Sequence, residues 1–290
     1  MTTSVTIKGF LACQNQPHSA GDRRACRLKK WMLLLLAVIL WSGTAHSQIL
    51  KQPIPDKLVV LTFDDAPASH YSVVAPLLQE HGFGATFFVC EFPPNFADTT
   101  KYMNWRQMQA LHRMGFEVAN HTHTHAHVNE LTKQQTHGEL EYIEEKCAAM
   151  DIPLPKSFAY PAYAISETCF ELLEEKAYEF ARAGGKRAYD PLSDHPFLIP
   201  SWATTSENEE EIMAALGEAK DGKIVVLTIH GVPDIEHPWV NTPISLFEKY
   251  LEYLKENHFQ VVSLRDLKQY IDPMAAKKVL PIDTNKPYKN

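Results

Sequence analysis

Between Leu58 and Ser263 the chain alternates short, uninterrupted apolar runs with stretches of helical periodicity. The runs Leu58 to Phe63, Ala85 to Val89, Phe116 to Asn120, Ser157 to Tyr160, Phe180 to Ala183, Ile224 to Ile229 and Val261 to Ser263 are rich in β-branched and aromatic residues and read as strands. Several lack polar alternation, as expected of strands buried on both faces. Thr132 with Gln135 and Ser206 with Glu209 form capping-box patterns that open helices, and Thr242-Pro243 supplies a cap and a first-turn proline to a helix ending near Asn257. Gly82 and Gly115 fall where helices should stop. Strand and helix alternating in this way predict a parallel α/β sheet, closed or nearly closed: a distorted (β/α) barrel of about seven strands in a single domain over 53–272. No Gly-, Ser- or Pro-rich linker divides that span, and 273–290, with three prolines and several lysines, reads as an irregular C-terminal tail.

One apolar run does not fit the α/β pattern. Trp31 to Trp41 follows the basic cluster Arg23, Arg24, Arg27, Lys29, Lys30 and precedes Ser42-Gly-Thr-Ala-His-Ser47. Basic, then apolar, then small residues is the order of a secretory signal peptide, here 1–47, with cleavage after Ser47. An uncleaved anchor is the alternative, but at 11 residues the run is about half a membrane span. The expected location is periplasmic or extracellular, with no stable membrane anchor after cleavage.

Removal of 1–47 changes the charge picture. The whole chain has 28 basic and 35 acidic residues, net −7; the remainder has 22 and 34, net −12. Such an excess argues against nucleic acid as a partner. Of the five cysteines only Cys90, Cys147 and Cys169 remain, without CxxC spacing; Cys147 and Cys169 fall on apolar helix faces and read as inert buried thiols.

In parallel α/β folds, active sites gather at the carboxyl ends of the strands, so polar residues there carry the candidate chemistry. The first strand runs into Asp64-Asp65. Adjacent strand positions point to opposite faces, which lets one carboxylate address a metal and the other a water; a plain helix cap is the simpler alternative. The third strand runs into His121-Thr-His-Thr-His-Ala-His127, four histidines where a seven-residue window of this composition holds about 0.3. Imidazoles spaced by two or four can share one metal; a solvent-facing cluster is the alternative. The sixth strand ends in His230-Gly231, which places a group titrating near neutrality, suited to general-acid work, at the same end of the sheet. A satisfied structural histidine is the bland reading.

Thr62-Phe-Asp-Asp65, His121-Thr-His-Thr-His125 and Leu227-Thr-Ile-His230, in this order, resemble the first, second and last motifs of the polysaccharide deacetylases with NodB homology, carbohydrate esterase family four. The similarity spans about Leu58 to Leu267. It implies hydrolysis of N-acetyl groups, or less often O-acetyl esters, on a glycan such as peptidoglycan, a chitin-like polymer or an exopolysaccharide. It also implies a divalent metal, most often zinc, with cobalt, manganese and nickel as alternatives, held by Asp65, His121 and His125. By the same resemblance Asp64 is the base, His230 the acid, and the Ala162 N–H an oxyanion donor; His123 and His127 are not ligands. The chain departs from the family at Ala66, where glycine is usual, and at Ala159-Tyr-Pro-Ala162, which lacks the arginine and the aromatic of the third motif. Arg182, at the end of the fifth strand, is the expected substitute for that arginine. The fourth motif, an Asp-Trp pair, is not cleanly present; Trp202 is a candidate for the aromatic and Asp194 a poor one for the carboxylate. Two other functions compete: a barrel amidohydrolase or phosphoesterase, whose His-x-His sites usually come first in the chain, and a non-catalytic metal- or glycan-binding relative that has lost the arginine.

Overall fold

β1, Leu58–Phe63, is buried along its whole length, and its two faces serve different cores. Val59, Leu61 and Phe63 pack outward against the helices, whereas Leu58 and Val60 point into the interior of the curled sheet. The remaining strands are β2 Thr86–Val89, β3 Glu117–Asn120, β4 Ser157–Ala159, β5 Phe180–Arg182, β6 Trp202–Ala203, β7 Val225–Ile229 and β8 Gln260–Val262. All pair in parallel, in the order β5-β4-β3-β2-β1-β7-β6. β8 joins β1 at Leu58, Val59 and Val60, on the edge that β2 takes over at Thr62 and Phe63. The computed structural model describes residues 49–92 and 94–288; the expected signal peptide lies outside them. Gln48–Asn290 forms one unit, and none of its described helices is long and apolar enough to cross a membrane.

Ile199 bridges to Arg182 of β5, and three residues later Trp202–Ala203 pairs with β7. That segment brings the two ends of the sheet together and completes the distorted barrel. The expected distorted barrel is what forms, and β6, two residues long, is the strand too short to leave an alternating pattern in the sequence.

Local signals explain most element boundaries. Thr132 and Gln135 cap Lys133–Ala149 reciprocally, and Asn104 with Gln107 does the same for Trp105–Arg113. Gly82 takes up a left-handed φ of 71° after His81, a conformation that favours glycine. Ser206 is not the cap expected of it: the helix Glu209–Leu216 begins after Asn208, whose side-chain oxygen accepts the N–H of Thr205 instead. Thr242 likewise bonds to Thr204 rather than capping Ile244–Glu256. The segment after Asp272 is not wholly irregular. The Asp272 carboxylate accepts the N–H groups of Met274 and Ala275, Pro273 occupies the first turn, and Pro273–Val279 is helical. Tyr288 is buried beyond it, its carbonyl accepting the N–H of Gly184. Cys90, Cys147 and Cys169 are buried free thiols, and burial pushes the Cys147 thiol up to about 12.

Candidate active site

The pleat of the strands accounts for which side chains meet. Residues two apart on a strand share a face, so the interior column Leu58, Val60 of β1 continues through Thr62 to Asp64. By the same parity Ala119 leads to His121, Phe180 to Arg182, and Val226 to Thr228 and His230. Leu58, Val60, Ala119, Phe180 and Val226 form one interior apolar cluster. Above it lies a polar layer held in place by hydrogen bonds: Arg182 donates through Nη2 to Asp64 Oδ2 at 2.5 Å and through Nη1 to Thr228 Oγ1 at 3.0 Å. Thr228 Oγ1 also meets Ser201 Oγ at 2.8 Å. Arg182 is fully buried, its guanidinium 5.5 Å from the Phe88 ring and 5.4 Å from the Tyr163 ring.

Asp65 leaves the strand. Its φ is 73° and that of Ala66 is 54°, so two consecutive residues occupy the left-handed region. Thr122 at 64°, His125 at 55°, Ala162 at 49° and Tyr163 at 55° do the same. Backbone conformations of this kind cost free energy and persist where surrounding structure imposes them, which is common at functional sites. The turn aims the Asp65 carboxylate at the histidines: Oδ1 lies 3.3 Å from His121 Nε2 and 3.4 Å from His125 Nε2, and Oδ2 lies 3.9 Å from His230 Nε2. Asp65, His121 and His125 offer ligand atoms within 4.8 Å of one another, the one such cluster among the described residues. His121 Nδ1 faces the Ala159 carbonyl at 2.8 Å, an outer contact that fixes the ring with Nε2 inward.

The electrostatics of these residues suit a cation. Asp65 Oδ1 is buried with no well-formed hydrogen bond. Burial would raise its carboxyl, but the rings of His121, His125 and His230 hold it well below the usual carboxylate range. Burial likewise pulls His121 down, and Asp64 and Asp65 outweigh it, so that ring sits above its ordinary value. Two carboxylates thus draw positive charge to the inner imidazole. Burial and the nearby His121 bring His125 down to about 4, which leaves it neutral at pH 7, the form that ligates metals. Two imidazoles and one carboxylate are a donor set that fits a catalytic zinc-type site with positions left for water and substrate.

The other histidines of the cluster diverge. His123 stacks on Tyr142 at 3.5 Å and approaches Glu91, while His127 lies beside Glu130. His230 Nδ1 is buried without a hydrogen-bond partner, so no carboxylate among the described residues takes the place of the fourth-motif acid. Asp194 is engaged elsewhere, bidentate to Arg187 and bonded to Lys286. Trp202 packs in the outer core and does not reach the site. The backbone of His230 is steadied by His70 Nε2, which is 3.0 Å from its carbonyl oxygen. His70 sits among Phe63 and Phe87, and burial brings it down to about 4. Its ordinary value of 6.5 means the unfolded chain takes up this proton first on acidification. The stabilisation is complete above pH 6.5 and is lost as pH falls towards 4, up to about 3 kcal/mol. His70→Gln keeps a donor for the carbonyl and removes the titration; urea melts from pH 7 to 4 should show a flatter stability profile than the wild type.

A cleft of about 920 Å³ contains Asp64, Asp65, His121, His125, His230 and Ala162 together. Sequence reading missed Phe92, whose ring stacks on His125 at 4.8 Å, although its position just past β2 was the available signal. It also missed Tyr163 and Lys186, which line the same cleft. A smaller cleft of about 370 Å³ lies at the opposite strand ends, around Glu117, Lys156 and Arg265, and brings no comparable ligand set together.

The fold and the site define a barrel with a candidate metal-ligand cluster at its carboxyl end, and known proteins resemble it. The model of the family described as polysaccharide deacetylase matches residues 51–181. A bifunctional xylanase/deacetylase of Pseudobutyrivibrio xylanivorans is 24% identical over 218 residues, which is 73% of this chain and 30% of that protein. A chitin deacetylase of Colletotrichum lindemuthianum is 27% identical over 207 residues, 71% of this chain and 77% of that one. Among solved structures, the Xyl-CE4 domain of a multidomain xylanase from the hindgut metagenome of Trinervitermes trinervoides aligns with a TM-score of 0.54 at 25% identity, covering 73% of this chain and 90% of that one. This chain therefore spans under a third of the xylanase/deacetylase's length. Over most of its described residues it is similar to the polysaccharide deacetylases.

Proposed function

We propose that the chain is an exported, metal-dependent hydrolase that removes N-acetyl groups, or O-acetyl groups, from a glycan. The observation that carries this reading is the meeting, in one cleft, of the Asp65–His121–His125 cluster with Asp64 and His230. Asp65, His121 and His125 would hold a divalent cation, with zinc the best fit and cobalt, manganese or nickel as alternatives. The chemistry such a cation supplies when bound is Lewis acidity, which acidifies water and polarises an acetyl carbonyl.

The chain's own residues do the rest. Asp64 acts as general base: Arg182 holds Oδ2, while Oδ1, buried and without a hydrogen bond, is left to take a proton from the attacking water. The Ala162 N–H donates to the oxyanion that develops on the carbonyl. His230 protonates the departing amine, or the alcohol of an ester. The basic, apolar, small-residue order of residues 23–47 supports export. A non-catalytic role was attractive because the third motif lacks its arginine; a guanidinium on Asp64 from a different strand favours the catalytic one.

The names of the relatives point to chitin and to xylanase-associated deacetylation, which makes acetylated chitin oligomers, peptidoglycan, acetylated xylan and acetylated exopolysaccharides the panel to test. Metal-loaded protein should release acetate from at least one of them and stop when the metal is chelated. Stoichiometric metal with no acetate from any would favour the binding relative.

A further inference from the structure

The two most exposed large apolar side chains among the described residues, Ile235 at 80% and Trp239 at 71%, lie on one loop, the segment that follows His230. Their exposure does not come from a loose loop. Asp234 is buried, its carboxylate accepts the N–H groups of Gly231 and His237, and its own N–H donates to Asn241. The Val232 N–H donates to Ser69, and Glu236 pairs with Lys101. Gly231 is required at the base, since a Cβ there would lie 2.5 Å from the Asp234 Cα. The loop is thus tied at both ends and in the middle, and it holds an indole out into water.

Trp239 also lines the catalytic cleft. A chain of ring contacts connects it to the candidate metal cluster: His125 on Phe92 at 4.8 Å, Phe92 on His237 at 5.1 Å, and His237 on Trp239 at 5.4 Å. One wall of the cleft is therefore aromatic from the reacting end outwards. Thr205, Glu207 and Asn208 line it as well, with polar side chains. A pyranose ring has the matching character, an apolar C–H face and a rim of hydroxyls. At about 920 Å³ the cleft is also larger than one sugar needs.

We infer that Trp239 is a stacking platform for a sugar ring of the bound glycan, some distance along the chain from the acetylated residue, so that the protein binds oligomers rather than single sugars. This rests on the deacetylase reading for the position of the reacting sugar. A rigid indole, already held in place, loses little entropy on binding, which makes it a good anchor.

Calorimetric titration of the metal-loaded chain with chitotetraose, xylotetraose and N-acetylglucosamine tests the platform without requiring turnover. At least one tetramer should bind more tightly than the monosaccharide. Trp239→Ala should weaken that tetramer roughly tenfold, Trp239→Phe should recover most of the loss, and monosaccharide binding should not change. In kinetics with an active oligomer, KM should rise while kcat holds. Failure of both tetramers to bind, equal tetramer affinity in Trp239→Ala, or an oligomer that dissociates in sedimentation on that substitution, marking a protein interface, would overturn the platform. Tetramer binding that depends on Trp239, with no acetate released from any glycan, would leave the platform standing and remove the deacetylase reading.

Discussion

Asp64→Asn is expected to lower kcat by a factor of about 10² to 10⁴ while the metal stays bound. Asp64 is not part of the three-residue ligand cluster, and its nearer oxygen is 3.8 Å from His121 Nε2. The carboxylate is instead placed by Arg182 on one oxygen, and its other oxygen has no hydrogen bond. Replacing the acid by its amide keeps shape and volume and removes the lone-pair basicity that accepts a proton. Because the amide also leaves the buried Arg182 without its counter-ion, a fall in stability should accompany the loss of turnover, and circular dichroism must show the variant folded at the assay temperature. Acetate release and metal content, measured on the same preparation, decide the matter: loss of metal together with activity would reassign Asp64 from base to ligand.

The second large effect is expected at Arg182. Its guanidinium is fully buried, and among the described residues its ion pair is with Asp64. Removing one partner of a buried pair leaves the other desolvated and unpaired, at a cost of about 3–5 kcal/mol. Arg182→Met should therefore lower Tm by on the order of 10 °C, and it should reduce kcat because Asp64 loses the group that positions it. Arg182→Lys keeps the charge but loses the two-pronged grip on Asp64 and Thr228, and should fall between the two. A role confined to stability is separable from this one: in Arg182→Met/Asp64→Asn neither charge is left unpaired, so much of the lost stability should return while turnover does not. Full activity in a folded Arg182→Met protein would end the positioning role.

Arg182 also shows how far the sequence could be read. Its partnership with Asp64 follows from strand parity: Phe180 and Val60 face the interior, so Arg182 and Asp64, two and four residues on, face it too. β1 was legible to the residue because an unbroken apolar run ends in two aspartates. The histidine cluster was legible as a cluster, but which two rings converge with Asp65 depends on the left-handed turns at Thr122 and His125, which no pattern of residue types specifies. β6 was invisible because two residues cannot alternate, and Trp202, a candidate for the site, proved to be core. The helix after Asp272 was masked by composition, although Asp272-Pro273 is itself a start signal. The missing fourth motif is a departure among the described residues: there His230 Nδ1 has no carboxylate, and Asp194 is committed to Arg187 and Lys286.

Asp65 after β1, with His121 and His125 after β3, is proposed to form a metal centre. Elemental analysis of the wild type, Asp65→Asn and His125→Ala after loading with zinc and desalting tests it directly. About one ion per chain is expected in the wild type and little in either variant, with both variants folded. Full occupancy in a folded Asp65→Asn or His125→Ala protein, or none in the wild type, would contradict it.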